Sequence, residues 1–168
     1  GEIQKRGSGE SALVQQNIMR AGCRAGLGAG TAALWATTRV VRGDGVGAQA
    51  NGRSQRASVS ADGRFVALAS GASNLVAGDT NSKTDIFVHD RQTGATTRVS
   101  VDSAGQQGNG DRSEPTISAD GRFVAFDSTA TNLVAADTNG AGDVFVHDRQ
   151  TGTTVRVSVN NAGNQGDG

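Results

Sequence analysis

The chain repeats itself, and no other feature of its sequence narrows the fold as much. HDRQTG at 89–94 returns at 147–152, a period of 147 − 89 = 58 residues. When residues 60–100 are laid over 118–158, 30 of 41 positions are identical. A repeat of this length is one supersecondary unit that cannot bury its apolar face alone, so neighbouring copies must stack and share a core. Function is then to be sought on the surface of the stack.

Each copy divides into four extended runs. In the second, SEPTIS at 113–118 is stopped by Ala119-Asp120-Gly121, where Asp and Gly supply tight-turn chemistry, and RFVAFDS follows at 122–128. After a polar loop, DVFVHD at 143–148 places Val144 and Val146 on one face and Phe145 and His147 on the other, the period-two signature of a strand. Arg149-Gln150-Thr151-Gly152 turns the chain, and TTVRVSV at 153–159 alternates again. The first copy gives the same runs at 55–60, 64–70, 85–90 and 96–101, so the two units span 55–101 and 113–159. TTRV within 37–41 matches Thr96 to Val99 and predicts a further, orphan outer strand.

Four antiparallel strands per repeat is the blade of a β-propeller, so the fold class is all-β. A closed propeller takes about 4 to 8 blades, because each blade buries its faces only against two neighbours. Two blades predict either a partial propeller or a ring completed by oligomerisation. The orphan strand at 37–41 would compete with 153–159 for one edge.

Composition supports many short strands: 25 glycines, one proline (Pro115) and six Phe or Trp leave a core of Val, Ala and Leu. Lys+Arg and Asp+Glu are 16 each, which offers no electrostatic case for nucleic acid or an anionic membrane. Cys23 alone gives no disulfide framework and no thiolate metal cluster. No run approaches the roughly 18 apolar residues of a membrane span. Residues 1–36 stand outside the repeat as a helical or irregular segment. Glu10 to Ala21 could form a packing helix with Leu13, Val14, Ile18 and Ala21 on one side, and a secretory leader is the rival, its apolar stretch 25–36 interrupted by Gly26, Gly28 and Gly30. The propeller region is 37–168.

SADGRFVA at 60–67 and 118–125, followed by D-I/V-FVHDRQTG at 85–94 and 143–152, resembles the PD40 repeats of TolB-like β-propellers. That family carries an SPDG turn, a strand ending in AF, a D-I-Y-V strand and a D-x-x-T-G turn. Here Ala61 and Ala119 stand at its proline, and the repeat is longer, in the loops 74–84 and 132–142 and in the connection 102–111. The resemblance implies a largely non-catalytic platform for a protein or glycan partner in an exported bacterial protein, periplasmic or extracellular, sometimes fused to an enzyme.

The sharpest chemical candidate is Asp137, Asn139 and Asp143, echoed by Asp79, Asn81 and Asp85. Oxygen side chains at i, i+2 and i+6 of a loop could partly surround a calcium ion. The pattern is similar to the calcium loops of integrin-type blades, whose first acidic position falls here on Ala77 and Ala135. The competing expectation is a pair of Asx-turns leading into the third strands. His89 and His147 occupy one repeat position, which predicts a structural histidine rather than a catalytic one. Arg98 and Arg156 are expected to point outward from the fourth strands and blunt an edge, and 105–110 reads as a flexible linker. The leading expectation is a non-catalytic binding or scaffold module that uses no cofactor and presents loops 132–142 and 102–111. The propeller portion of an exported hydrolase and a calcium-stiffened structural repeat are the alternatives.

Overall fold

The structure, a computed structural model, describes residues 49–166. The predicted helix at Glu10 to Ala21 and the orphan strand at 37–41 lie outside the described residues. Within them the chain is all-β, with no helix long and apolar enough to cross a membrane. Eight strands form two four-stranded antiparallel sheets. β1 (Ser54–Val59), β2 (Phe65–Ser70), β3 (Asp85–Asp90) and β4 (Thr96–Arg98) make the first; β5 (Arg112–Ile117), β6 (Phe123–Ser128), β7 (Asp143–Asp148) and β8 (Thr153–Arg156) make the second. Strand order in each follows the sequence, so both are meanders.

The repeated words in the sequence are the parts that close each meander. In SADGR, Ser60 Oγ accepts from the Phe65 amide at 3.0 Å and Asp62 Oδ1 from the Arg64 amide at 3.0 Å, while Gly63 takes φ +71°. Arg64 then reaches across the β2–β3 pair and donates from Nε and Nη2 to both oxygens of Asp90 at 3.0 and 2.7 Å. Ser118, Asp120, Arg122 and Asp148 repeat the arrangement. The arginine hydrogen bonds hold Asp90 and Asp148 well below the usual carboxylate range.

Each inner strand carries a bulge, between Gln55 and Ser58 and between Ser113 and Thr116, with Arg56 and Glu114 both at φ +52°. The single proline, Pro115, sits in that bulge, where no ladder donor is needed. The fourth strands end sooner than the alternation predicts, at Arg98 and Arg156. Val99 still donates to Ile86 O at 2.9 Å, but the Ile86 amide bonds the Ser100 side chain at 3.1 Å instead of a backbone carbonyl. Val144 and Ser158 do the same. A side-chain oxygen thus ends the ladder, and Val101 bridges to Gln107 in a small loop.

The core lies between the sheets. Ala67, Ala69, Ile86, Val88 and Val99 of the first sheet form one buried cluster with Val124, Phe126, Leu133 and Phe145 of the second. Phe126 and Phe145, paired across β6–β7, stack at 6.0 Å between centroids. β5 packs against β1, β2 and β3, and the Ala61 amide donates to Ala119 O at 3.0 Å. Two sheets stacked face to face with inner strands adjacent are consecutive propeller blades.

Candidate functional site

The loops singled out in the sequence meet at one end of the blades. Asn109 N donates to Asn132 Oδ1 at 2.9 Å, and Asn132 Nδ2 returns to Gln107 O at 3.1 Å. Asn51 and Asn74 make the equivalent clamp. The adjoining glycines allow it: a Cβ on Gly110 would lie 2.4 Å from the Ala130 backbone nitrogen, and one on Gly52 2.7 Å from that of Ala72. Sequence reasoning passed over these asparagines, although Asn-Gly at 51–52 and 109–110 recurs at the repeat period. The connection 102–111 is not a loose tether. Asp102 Oδ1 accepts from the amides of Ala104 and Gln106 at 2.9 and 2.8 Å, and Gln107 Nε2 donates to Thr80 Oγ1 at 2.7 Å.

Asp79, Asn81 and Asp85 do converge, around an arginine. Arg98 Nη1 stands 3.2 Å from Asp79 Oδ1 and 3.7 Å from Asp85 Oδ2. Asn81 turns its oxygen to the Lys83 amide at 3.0 Å, an Asx-turn, and its Nδ2 to Asp85 Oδ2 at 3.0 Å. Arg112 of the next blade completes the cluster, donating to Asp85 Oδ1 at 2.8 Å with both side chains fully buried. In the second repeat Asp137 and Asp143 flank Arg156 at 3.2 and 3.4 Å, and Asn139 accepts from the Ala141 amide at 3.1 Å.

A calcium ion does not fit this arrangement. Calcium takes six to eight oxygens, whereas here a guanidinium and a donor amide already hold the carboxylates. Among the described residues no group of acidic, histidine or cysteine side chains is placed to hold a metal. Burial, then the neighbouring Asp85, raises the Asp79 carboxyl, and burial with Asp143 raises Asp137. Burial lowers the Arg112 guanidinium while Asp85 opposes it. Arg98 and Arg156 are therefore half-buried ion-pair members, not the solvated edge charges that strand alternation suggested. Alternation gives the side of a strand a residue occupies and says nothing of a loop that folds over it.

The histidines brace the blades. His89 Nδ1 lies 3.0 Å from Thr96 Oγ1 and His147 Nδ1 2.9 Å from Thr154 Oγ1, and burial lowers the His147 pKa. Thr154 continues into the preceding blade, its amide donating to Ser103 Oγ at 3.0 Å and its hydroxyl to Val101 O. By this seam lies an open groove of about 450 Å³ lined by Asp102, Ser103 and Ala104 of the connection, Leu133, Val134 and Ala135 of the loop, and Thr154. A second cleft of about 350 Å³ lies by Phe65, Arg122 and Arg149.

Two propeller-type blades define the class of fold. No protein-family model and no curated protein matches the sequence. Among solved structures the chain is similar to a TolB of Agrobacterium tumefaciens (19% identity, TM-score 0.45, 64% of this chain and 31% of that one). It is also similar to TolB of Acinetobacter baumannii (18%, 0.42, 65% and 22%) and to the tricorn protease (19%, 0.42, 65% and 9%). The chain spans less than a third of the length of each. These neighbours are PD40-type β-propellers.

Proposed function

We propose that the chain is a non-catalytic binding or scaffold module whose partner, a protein or a glycan, is engaged by the groove between the connection 102–111 and the loop 132–142. One observation carries this reading: the two segments in which the repeat exceeds its family pattern both line a single open groove. Both walls are pinned by the Asn109–Asn132 clamp, so their shape is set before a partner arrives, which lowers the ordering cost of binding. The groove presents small apolar groups, Ala104, Val134 and Ala135, beside polar groups from Asp102 and Ser103, a composition suited to recognition. Each histidine bonds a threonine at a position repeated in both blades, which favours a structural role over a general base. A periplasmic or extracellular location follows from the family resemblance and belongs to the same proposal.

The test compares the native chain with Ala104→Arg and Ala135→Arg, which fill the groove from either wall. Binding to a glycan array and to envelope proteins of the source cell is expected for the native chain and lost at least tenfold in both variants. Binding indifferent to these substitutions, or hydrolysis of peptide, ester or glycoside substrates abolished by His147→Asn, overturns the reading.

A further inference from the structure

A second cleft is built at the hairpin-turn end of the sheets, away from the loop 132–142. Phe65 opens β2 of the first blade, Asp120, Gly121 and Arg122 belong to the β5–β6 turn, and Arg149 and Gln150 to the β7–β8 turn; together they line about 350 Å³. Most of the charge there is already matched. Arg122 gives Nε and Nη2 to the two oxygens of Asp148 at 2.9 and 2.6 Å, and Arg64, beside Phe65, does the same to Asp90. Asp120 is exposed at the rim, with Oδ1 accepting from the Ser118 hydroxyl and the Arg122 amide.

Arg149 is the exception. Among the described residues no carboxylate lies within ion-pair distance of it, yet its direction is fixed: Nη1 donates to Gly121 O and the guanidinium lies over the Phe65 ring at 4.3 Å. Nε and Nη2 remain as a preset pair of donors. The Nε atoms of Arg98, Arg112 and Arg156 are sealed inside the protein, whereas no nitrogen of Arg149 is sealed without a partner, so its spare donors open on the cleft. Burial lowers the Arg149 pKa while Asp90 opposes the fall, so the guanidinium has given up hydration without gaining an anion in contact.

We infer that this cleft binds one carboxylate, carried by an aspartate or glutamate side chain of a peptide partner, through Nε and Nη2 of Arg149. A guanidinium fork matches the two oxygens of a carboxylate. One unmatched cation beside the exposed Asp120 suits a single negative charge and disfavours a phosphate dianion. The half-buried Phe65 ring offers apolar surface to the methylene stem of the acid. The contact is separate from the groove between 102–111 and 132–142 and stands whether or not that groove has a partner. Arg91, one period earlier, supplies an internal control: it makes the same turn bond, to Gly63 O at 2.8 Å, but is exposed and outside the cleft.

The experiment follows the Nε–H resonance of Arg149 and the amide of Gly121 by NMR in the full chain, the former assigned by its loss in Arg149→Lys. The probes are the blocked peptide Gly-Gly-Glu-Gly-Gly, its glutamine counterpart, sodium acetate and inorganic phosphate. The glutamate peptide is expected to shift both signals saturably, with a Kd on the order of 1 mM and at least tenfold tighter than the glutamine peptide. Arg149→Lys keeps the charge but loses the fork, and is expected to weaken binding about tenfold at the Gly121 amide; Arg91→Gln leaves it unchanged. Equal responses to the two peptides overturn the proposal, as does a glutamate peptide bound undiminished by Arg149→Lys. Acetate as tight as the peptide, or phosphate tighter, overturns the assignment to an acidic side chain in favour of a free anion. Should Arg149→Lys disturb the fold, seen as shifts throughout the amide spectrum, the order of the four probes on the native chain decides.

Discussion

β3 and β7 are nearly the same strand, DIFVHD against DVFVHD, and they live in different surroundings. All six residues of β3 are buried, whereas β7 alternates buried with exposed or half-buried positions. The cause is outside the strand: β3 has the second blade over its Ile86 and Val88 face, and β7 has no described neighbour over Val144 and Val146. Secondary structure here is written in each repeat, but burial is a property of the pair. A strand whose outer face is apolar before anything covers it is a strand designed for a neighbour.

Truncating Phe145 and Phe123 separates the two situations most widely. Phe145 is fully buried in the cluster between the blades and stacks on Phe126, so Phe145→Ala is expected to cost about 3–5 kcal/mol by transfer and cavity terms. Phe123 lies one strand away and retains much of its exposure, with Arg122 over its ring at 4.7 Å, so Phe123→Ala is expected to cost no more than about 1 kcal/mol. Urea unfolding of the two variants decides it, and equal costs would mean that the outer face of the second blade is covered after all.

A glycine pair sharpens the same contrast. Gly63 and Gly121 occupy equal places in the SADGR turns, with φ of +71° and +76°. A Cβ on Gly63 meets nothing nearer than Arg91 Nη1 at 3.6 Å, so Gly63→Ala carries only the left-handed backbone cost of about 1–2 kcal/mol. On Gly121 a Cβ would fall 2.2 Å from Phe65 Cδ2, and this ring has an arginine on it from each blade. Gly121→Ala is expected to cost about 1–3 kcal/mol more than Gly63→Ala through overpacking. Equal thermal shifts for the two would show that the turn, not the seam, sets the price.

The blades were legible because their signals are local and duplicated: alternation over 85–90 and 143–148, Asp-Gly turns, and one spacing throughout. The loop network was legible only as a list of members. Spacing picked out Asp79, Asn81 and Asp85, yet the cation among them is Arg98, a strand and a turn further along the chain, joined by Arg112 from the next blade. No local pattern announces a partner supplied by the stacking of repeats. The asparagine clamps failed for a different reason, since Asn-Gly reads first as a turn and only the tertiary contact reveals the amide as a tie.

The smallest effect concerns acid. Burial lowers the His147 pKa from its ordinary 6.5, with Arg149 adding to the fall and Asp148 opposing it. The folded chain therefore resists a proton that the unfolded chain accepts. Between the two values the unfolded state binds more protons, and stability must fall as pH falls below about 6.5 while staying level above it. For one proton the slope is at most about 1.4 kcal/mol per pH unit. Asp79 and Asp137, raised by burial, act in the opposite sense, because the folded state then takes up a proton more readily than the unfolded one. Their window runs upward from the ordinary carboxylate value, and because both carboxyls are unchanged in His147→Asn, comparing the two chains between pH 7.5 and 5 isolates the histidine. Unfolding free energy should decline over that range in the native chain and flatten in His147→Asn, where the asparagine amide can still bond Thr154. A decline unchanged by the substitution would assign the acid sensitivity to another group and leave the histidine a brace that does not titrate in this range.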